Sequence, residues 1–156
     1  MTGRVQERLS EAGVALPVAP APVGAYVAAS RSGSLVFTSG QLPMNDGTLI
    51  ATGIVGEDVT LETAVDCARQ CALNALAAAA TVCDLDDIVR VVKLVGYVAS
   101  AQGFIQQPAV VNGASELLVL ALGDAGRHAR EAVGVAQLPL GAPVEVSLVL
   151  EVLPHN

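Results

Sequence analysis

The sequence predicts an α/β domain in which one sheet is backed on a single face by two helices. Three observations lead there. The apolar residues fall in the order strands, helix, strand, helix, strands, a pattern that builds one two-layer core. One strand candidate in the middle of the chain is apolar on both faces, as a central strand should be. Hydrophobic residues also make up 53% of a chain of only 156 residues, more apolar surface than a small monomer hides. Copies of the chain covering the sheet face left bare by the helices would account for the excess, and the length fits one core rather than two.

Along the chain, Val5, Leu9 and Ala12 recur at helical spacing, so residues 1–20 read as an extension with a short amphipathic helix and 21–156 as the single domain. The extension lacks the apolar run of a secretory signal, which points to the cytoplasm. Pro17, Pro20 and Pro22 keep residues 14–29 extended. Residues 34–39 (SLVFTS) are β-branched and aromatic and read as a strand, and Asn45-Asp46-Gly47 is a turn from which 48–52 pairs back. Thr60 is an N-cap with Glu62 in the first turn, opening a helix that runs through Leu61, Val65, Ala68, Ala72, Leu76 and Ala79 to Val82. Its alanine-rich side suits close packing on a sheet.

A polar break at 84–87 precedes the central strand, 88–98. Pro108 opens the second helix, with Val111, Ala114, Leu117, Leu118 and Ala121 along one side and Gly123 or Gly126 as its end. Two strands, 132–137 and 144–152, close the domain as a hairpin-like unit around Leu138-Pro139-Leu140-Gly141.

Composition excludes several classes of function. The net charge is −7, the only lysine is Lys93, and the aromatics are Tyr26, Phe37, Tyr97 and Phe104. Phosphate neutralisation and base stacking have little to work with, so nucleic acid is not an expected partner. No segment has ~20 consecutive apolar residues; the best stretch, 71–83, is alanine-rich and broken by Asn74, so no membrane is expected either. Cys67 and Cys71 are four apart on one helix but lack companions for a metal shell, which leaves buried thiols as the better reading of the three cysteines. Neither GxGxxG, a P-loop nor GxSxG is present, and SGSLVFTSG has the wrong spacing for the last. No metal or organic cofactor is expected.

The ionisable residues at strand ends remain. Arg130, beside Arg127 and His128, is either a solvated surface arginine or an anion site, since its planar fork suits a carboxylate. Glu145 opens the apolar strand VEVSLVLEV. It faces either water or a subunit cleft in which its pKa would be raised. His155 belongs to the C-terminal tail.

In order along the chain stand Gly24-Ala25-Tyr26, then TSGQLP at 38–43, Ala129-Arg130, VAQLP at 135–139, and Val144-Glu145-Val146. This series resembles the RidA family, also called YjgF or L-PSP endoribonuclease-like, over roughly Pro22 to Val152. The resemblance implies a chorismate-mutase-like fold, with a mixed sheet backed by two helices and three protomers closing a homotrimeric barrel. Inter-subunit clefts would hold a small carboxylate-bearing ligand. In the deaminase branch, enamines and imines such as 2-aminoacrylate are hydrolysed to 2-keto acids and ammonia. Carried over by motif, Arg130 is the carboxylate anchor and Glu145 the acidic residue that orients water; Tyr26, Ser39 and Asn112 line the cleft. Ala132 stands where a cysteine is common and Ser147 where a second glutamate is frequent, which marks a divergent subgroup. The rival readings are a non-catalytic small-carboxylate-binding trimer and, disfavoured by the charge, an endoribonuclease.

Overall fold

The computed structural model describes residues 2–154 and lays them out in two layers; His155 falls outside the described residues. The element order is α1 (Arg4–Glu11), β1 (Ala29–Ser32), β2 (Leu35–Thr38), β3 (Met44–Asn45), β4 (Thr48–Leu49), α2 (Leu61–Ala79), β5 (Ile88–Ala99), α3 (Gln107–Leu122), β6 (Ala129–Val135) and β7 (Val144–Val152). Five strands form one sheet in the order β1-β2-β7-β5-β6, antiparallel except for the parallel β5–β6 pair. A parallel pair needs a long crossover, and α3 supplies it.

The expected backing by helices on a single face is visible in β7. Val144, Val146, Leu148, Leu150 and Val152 are buried under the helices, while Glu145, Ser147, Val149 and Glu151 alternate on the other side and are only partly covered. That second face continues through Phe37 on β2, Val95 and Tyr97 on β5 and Val133 on β6. Phe37 is 44% and Val133 41% exposed, so the sheet face opposite the helices carries exposed apolar side chains.

Helix α2 starts where its cap places it, the Thr60 hydroxyl accepting from the Thr63 N–H at 3.2 Å. It ends at Ala79, three residues before the expected Val82, in a turn. Residues 71–79 are buried on every side, between the sheet, α3 and the β3–β4 hairpin. Asn74, the polar residue in that run, donates to the carbonyls of Leu42 (3.0 Å) and Met44 (2.9 Å) and so pins the hairpin to the helix. The hairpin turn has the expected left-handed residues, Asp46 (φ 50°) and Gly47 (φ 79°).

Two glycines set the seat of α3. A methyl group at Gly96 on β5 would strike the Val111 side chain, and one at Gly113 would overlap the backbone carbonyl of Val65 on α2. Asn112 lies between these contacts and is thereby aimed outward. The stretch Gln107–Gly126 is long and apolar enough on average to cross a membrane, more so than the 71–83 run; half of it is buried in this packing, as in a core helix.

Helix α1 buries Val5 and Leu9, but Ala12 is its exposed C-cap and not part of the apolar stripe. Its N-terminus is capped from afar: Asp86 accepts from the backbone N–H of Arg4 (2.8 Å) and of Val5 (2.9 Å).

Residues 14–28 hold no helix or strand, as their prolines imply, and one strand was not foreseen: β1, which Gly33 (φ 61°) turns back onto β2. Two expectations need correction. Strand β6 begins at Ala129 rather than Ala132, since pairing with β5 from Lys93 onward outweighs the weak strand preference of Ala-Arg-Glu. Strands β6 and β7 do not form a hairpin-like unit, because β5 lies between them.

Glycine in a helix interior ordinarily costs about 0.5–1 kcal/mol relative to alanine. At position 113 the sign should reverse, because the added methyl group must push two helices apart. Gly113→Ala is expected to destabilise the protein by about 2 kcal/mol, read as a lower urea midpoint with an unchanged slope.

Candidate functional site

Arg130 lies on the edge strand β6, in register with Leu94 and so on the helix-covered side, where it emerges beside α3. Its Nη1 donates to Asn112 Oδ1 at 2.7 Å and to Ser115 Oγ at 3.3 Å, and its Nη2 donates to the Pro108 carbonyl at 3.3 Å. The structure therefore brings together Arg130 and Asn112, two of the residues singled out in the sequence. Guanidinium has five N–H donors. Among the described residues these three bonds leave Nε–H and one Nη2–H without an acceptor. No carboxylate among the described residues pairs with Arg130. Its neutral acceptors orient the cation without cancelling its charge, and a guanidinium fork of this kind matches the geometry of a carboxylate.

Two further residues belong to this cluster. Ser115 Oγ lies 2.8 Å from His128 Nε2, and His128 Nδ1 lies 2.6 Å from the Gly126 carbonyl. Sequence reasoning noticed His128 without assigning it a role and missed Ser115. The signal was present in the spacing: Asn112 and Ser115 are i,i+3 on one helix, and His128 and Arg130 are i,i+2 leading into one strand.

Glu145 lies elsewhere. It is in register with Tyr97 on the bare face of the sheet, across the sheet from Arg130. Its carboxylate rests on Gly40, where a Cβ would come within 2.5 Å of Oε2, so the glycine of TSGQ is what admits it. Burial raises the Glu145 pKa above the ordinary glutamate value.

Tyr26 is half-exposed and lines a pocket of about 100 Å³ together with Pro22, Ala28, Gly40 and Leu140. Its hydroxyl accepts weakly from the Val23 N–H at 3.4 Å. Ser39 donates to the Val27 carbonyl at 2.6 Å and thereby fastens the segment that carries Tyr26. Tyr26, Ser39, Gly40 and Glu145 thus form a second cluster. The two clusters lie on opposite faces of the sheet, and the chain does not by itself bring Arg130 to Glu145.

Among the described residues no group of three or more His, Cys, Asp or Glu is placed to hold a metal ion. Cys67 and Cys71 are buried thiols; desolvation, with Asp66 adding, lifts Cys67 to about 11.

Residues 6–152 match the family model for YjgF/chorismate mutase-like proteins, whose description also carries the word endoribonuclease. Protein TCP17 of Trypanosoma cruzi is 45% identical over 152 residues, 96% of this chain and 95% of that protein. The crystal structure of Atu1372 from Agrobacterium tumefaciens is 47% identical with a TM-score of 0.88, covering 95% of this chain and 92% of that one. A protein of Shewanella oneidensis MR-1 described as a candidate endoribonuclease is 34% identical with a TM-score of 0.92, covering 96% and 100%. With the fold, the motifs and these likenesses in agreement, the chain belongs to the YjgF/RidA family and has its chorismate-mutase-like fold.

Proposed function

We propose that the protein is a deaminase that hydrolyses small 2-imino acids, and the enamines that precede them, to 2-keto acids and ammonia. The observation that carries this reading is the Arg130 guanidinium, held by Asn112, Ser115 and the Pro108 carbonyl, with two N–H donors unspent and no carboxylate partner among the described residues. A substrate carboxylate takes those donors as a bidentate pair and fixes the C=N carbon beside it. Glu145, ionised, orients a water for attack on that carbon and returns a proton to the leaving amine. An iminium carbon is already electrophilic, so the reaction asks for no metal or organic cofactor.

The two half-sites meet when protomers assemble. In a homotrimer that buries the bare sheet faces, Arg130 and Asn112 of one protomer face Tyr26, Ser39 and Glu145 of the next, across a cleft in the cytoplasmic enzyme. The exposed Phe37 and Val133 favour such burial. RNA is not the substrate in this reading, because a chain of net charge −7 with one lysine offers phosphates little.

Binding and turnover are tested apart. At about ten times its Kd, pyruvate should stabilise the wild type by roughly 1.4 kcal/mol and raise the melting temperature by roughly 3–6 °C. Arg130→Ala should lose the shift. With 2-iminopropionate generated by an amino-acid oxidase, wild type should speed imine decay, and Arg130→Ala and Glu145→Gln should each lower kcat/KM by about 10²-fold or more. Glu145 acts ionised and its pKa is raised. The wild-type rate should therefore fall, as pH drops, before the ordinary glutamate value of ~4.3 is reached, and Glu145→Gln should lack that acid limb. Binding without turnover would favour the non-catalytic carboxylate-binding protein. If wild type and Arg130→Ala are equally inactive on several imines, the deaminase reading fails.

A further inference from the structure

Ser115 sits behind Arg130. It meets Nη1, on the side of the guanidinium away from the Nε–H and Nη2–H that the ligand takes, so a carboxylate bound there is out of its reach. What it can do is decide how the guanidinium lies. Asn112 and Ser115 together spend both Nη1 hydrogens, and the Pro108 carbonyl spends one on Nη2. The edge between Nε and Nη2 is then the one left for a planar anion.

A serine hydroxyl inside a helix ordinarily gives its hydrogen to a carbonyl of the preceding turn. Thr81 and Cys83, just past the end of α2, do this with Ala78 (2.7 Å) and Ala79 (3.3 Å). Among the described residues Ser115 makes no such bond, and its hydroxyl turns instead to His128 Nε2 at 2.8 Å. The direction of that bond is set from both ends. Arg130 can only donate, and the Gly126 carbonyl can only accept. That carbonyl, 2.6 Å from Nδ1, keeps the proton of the neutral ring on Nδ1 and leaves Nε2 as an acceptor. Ser115 therefore sends its one hydrogen to His128 and turns a lone pair to Nη1 at 3.3 Å. Glycine at 126 is part of the device. The turn Gly123–Gly126 lies so close on α3 that a methyl group at 126 would overlap the Leu118 carbonyl, and this seat places the carbonyl that selects the tautomer.

We propose that Ser115 and His128 are positioning residues for Arg130. His128 draws off the Ser115 hydrogen, and the lone pair so presented holds the guanidinium with its Nε and Nη2 edge turned to the ligand. The proposal rests on the reading of Arg130 as the carboxylate anchor. Neither residue touches the ligand. Both act on how tightly it is held, because a fork free to swing must be ordered on binding and a fixed one need not be.

The test reads pyruvate affinity by titration calorimetry on the intact protein. Ser115→Ala and His128→Leu should each raise the Kd about fivefold, the effect of one lost hydrogen bond. His128→Gln, whose side-chain oxygen can accept from Ser115, should recover most of the loss. The double variant Ser115→Ala/His128→Leu should be no worse than Ser115→Ala, since His128 acts through the serine. A role confined to the stability of the fold would lower the melting temperature of the free protein and leave the Kd alone. At a pH above the ordinary histidine value of ~6.5, nitrogen-15 NMR of the wild-type ring should show Nδ1 protonated and Nε2 bare. Unchanged affinity in Ser115→Ala or His128→Leu, additive losses in the double variant, or a ring protonated on Nε2 alone would overturn the proposal. Arg130→Ala keeps the outcomes apart. If it loses pyruvate while the other variants bind as wild type does, the anchor stands and the positioning falls. If it binds as wild type does, or if neither binds, both fall. Affinity changes of the expected kind without imine turnover leave the positioning standing and sink the deaminase alone.

Discussion

The arrangement depends on how closely α3 approaches its neighbours. Gly96 lets Val111 sit down onto β5, and Gly113 lets the helix backbone reach the carbonyl of Val65 on α2. Interiors packed at crystal-like density leave no slack for such a seat to drift. Asn112 is caught between these contacts and Ser115 is one turn further along, so both side chains meet Arg130 at fixed positions. Close packing in the core becomes positional accuracy at the surface. A looser helix would still fold, but it would not hold a guanidinium to three acceptors.

The sheet imposes the second constraint. Alternation sends β7 side chains to opposite faces, which puts Glu145 where the helices cannot cover it, with its pKa raised by partial burial. A carboxylate kept against Gly40 at some cost in solvation is a poor stabiliser of the fold and a good participant in proton transfer. Arg130, by contrast, sits at a strand edge where neutral acceptors orient it without cancelling its charge. The fold thus separates a fixed cation from a partly desolvated anion by the thickness of one sheet.

Much of this was legible in the sequence because it rests on period and punctuation. Thr60, Pro108 and Gly123 mark helix ends through caps and φ angles that few other residues satisfy. The strict alternation of VEVSLVLEV gave β7 its bounds. Arg130 and Asn112 came from motif order, and the structure joins them at 2.7 Å. What escaped depended on pairing across the chain. The start of β6 is decided by β5, β1 exists because β2 receives it, and β5 inserts itself between two strands that are neighbours in sequence. Ser115 and His128 were hidden for the same reason, since thirteen residues separate the two partners of a 2.8 Å bond.

The capping of α1 has a consequence in time. An eight-residue helix is too short to hold itself together in water, and Gly3 gives this one no side-chain cap. Its cap is Asp86, whose carboxyl is held below the usual aspartate range chiefly by the Val5 N–H. During synthesis the first helix of the chain must therefore wait about 80 residues for its partner, roughly 4–16 s at ordinary elongation rates. Residues 4–11 thus take their capped helical form only once residue 86 has been made.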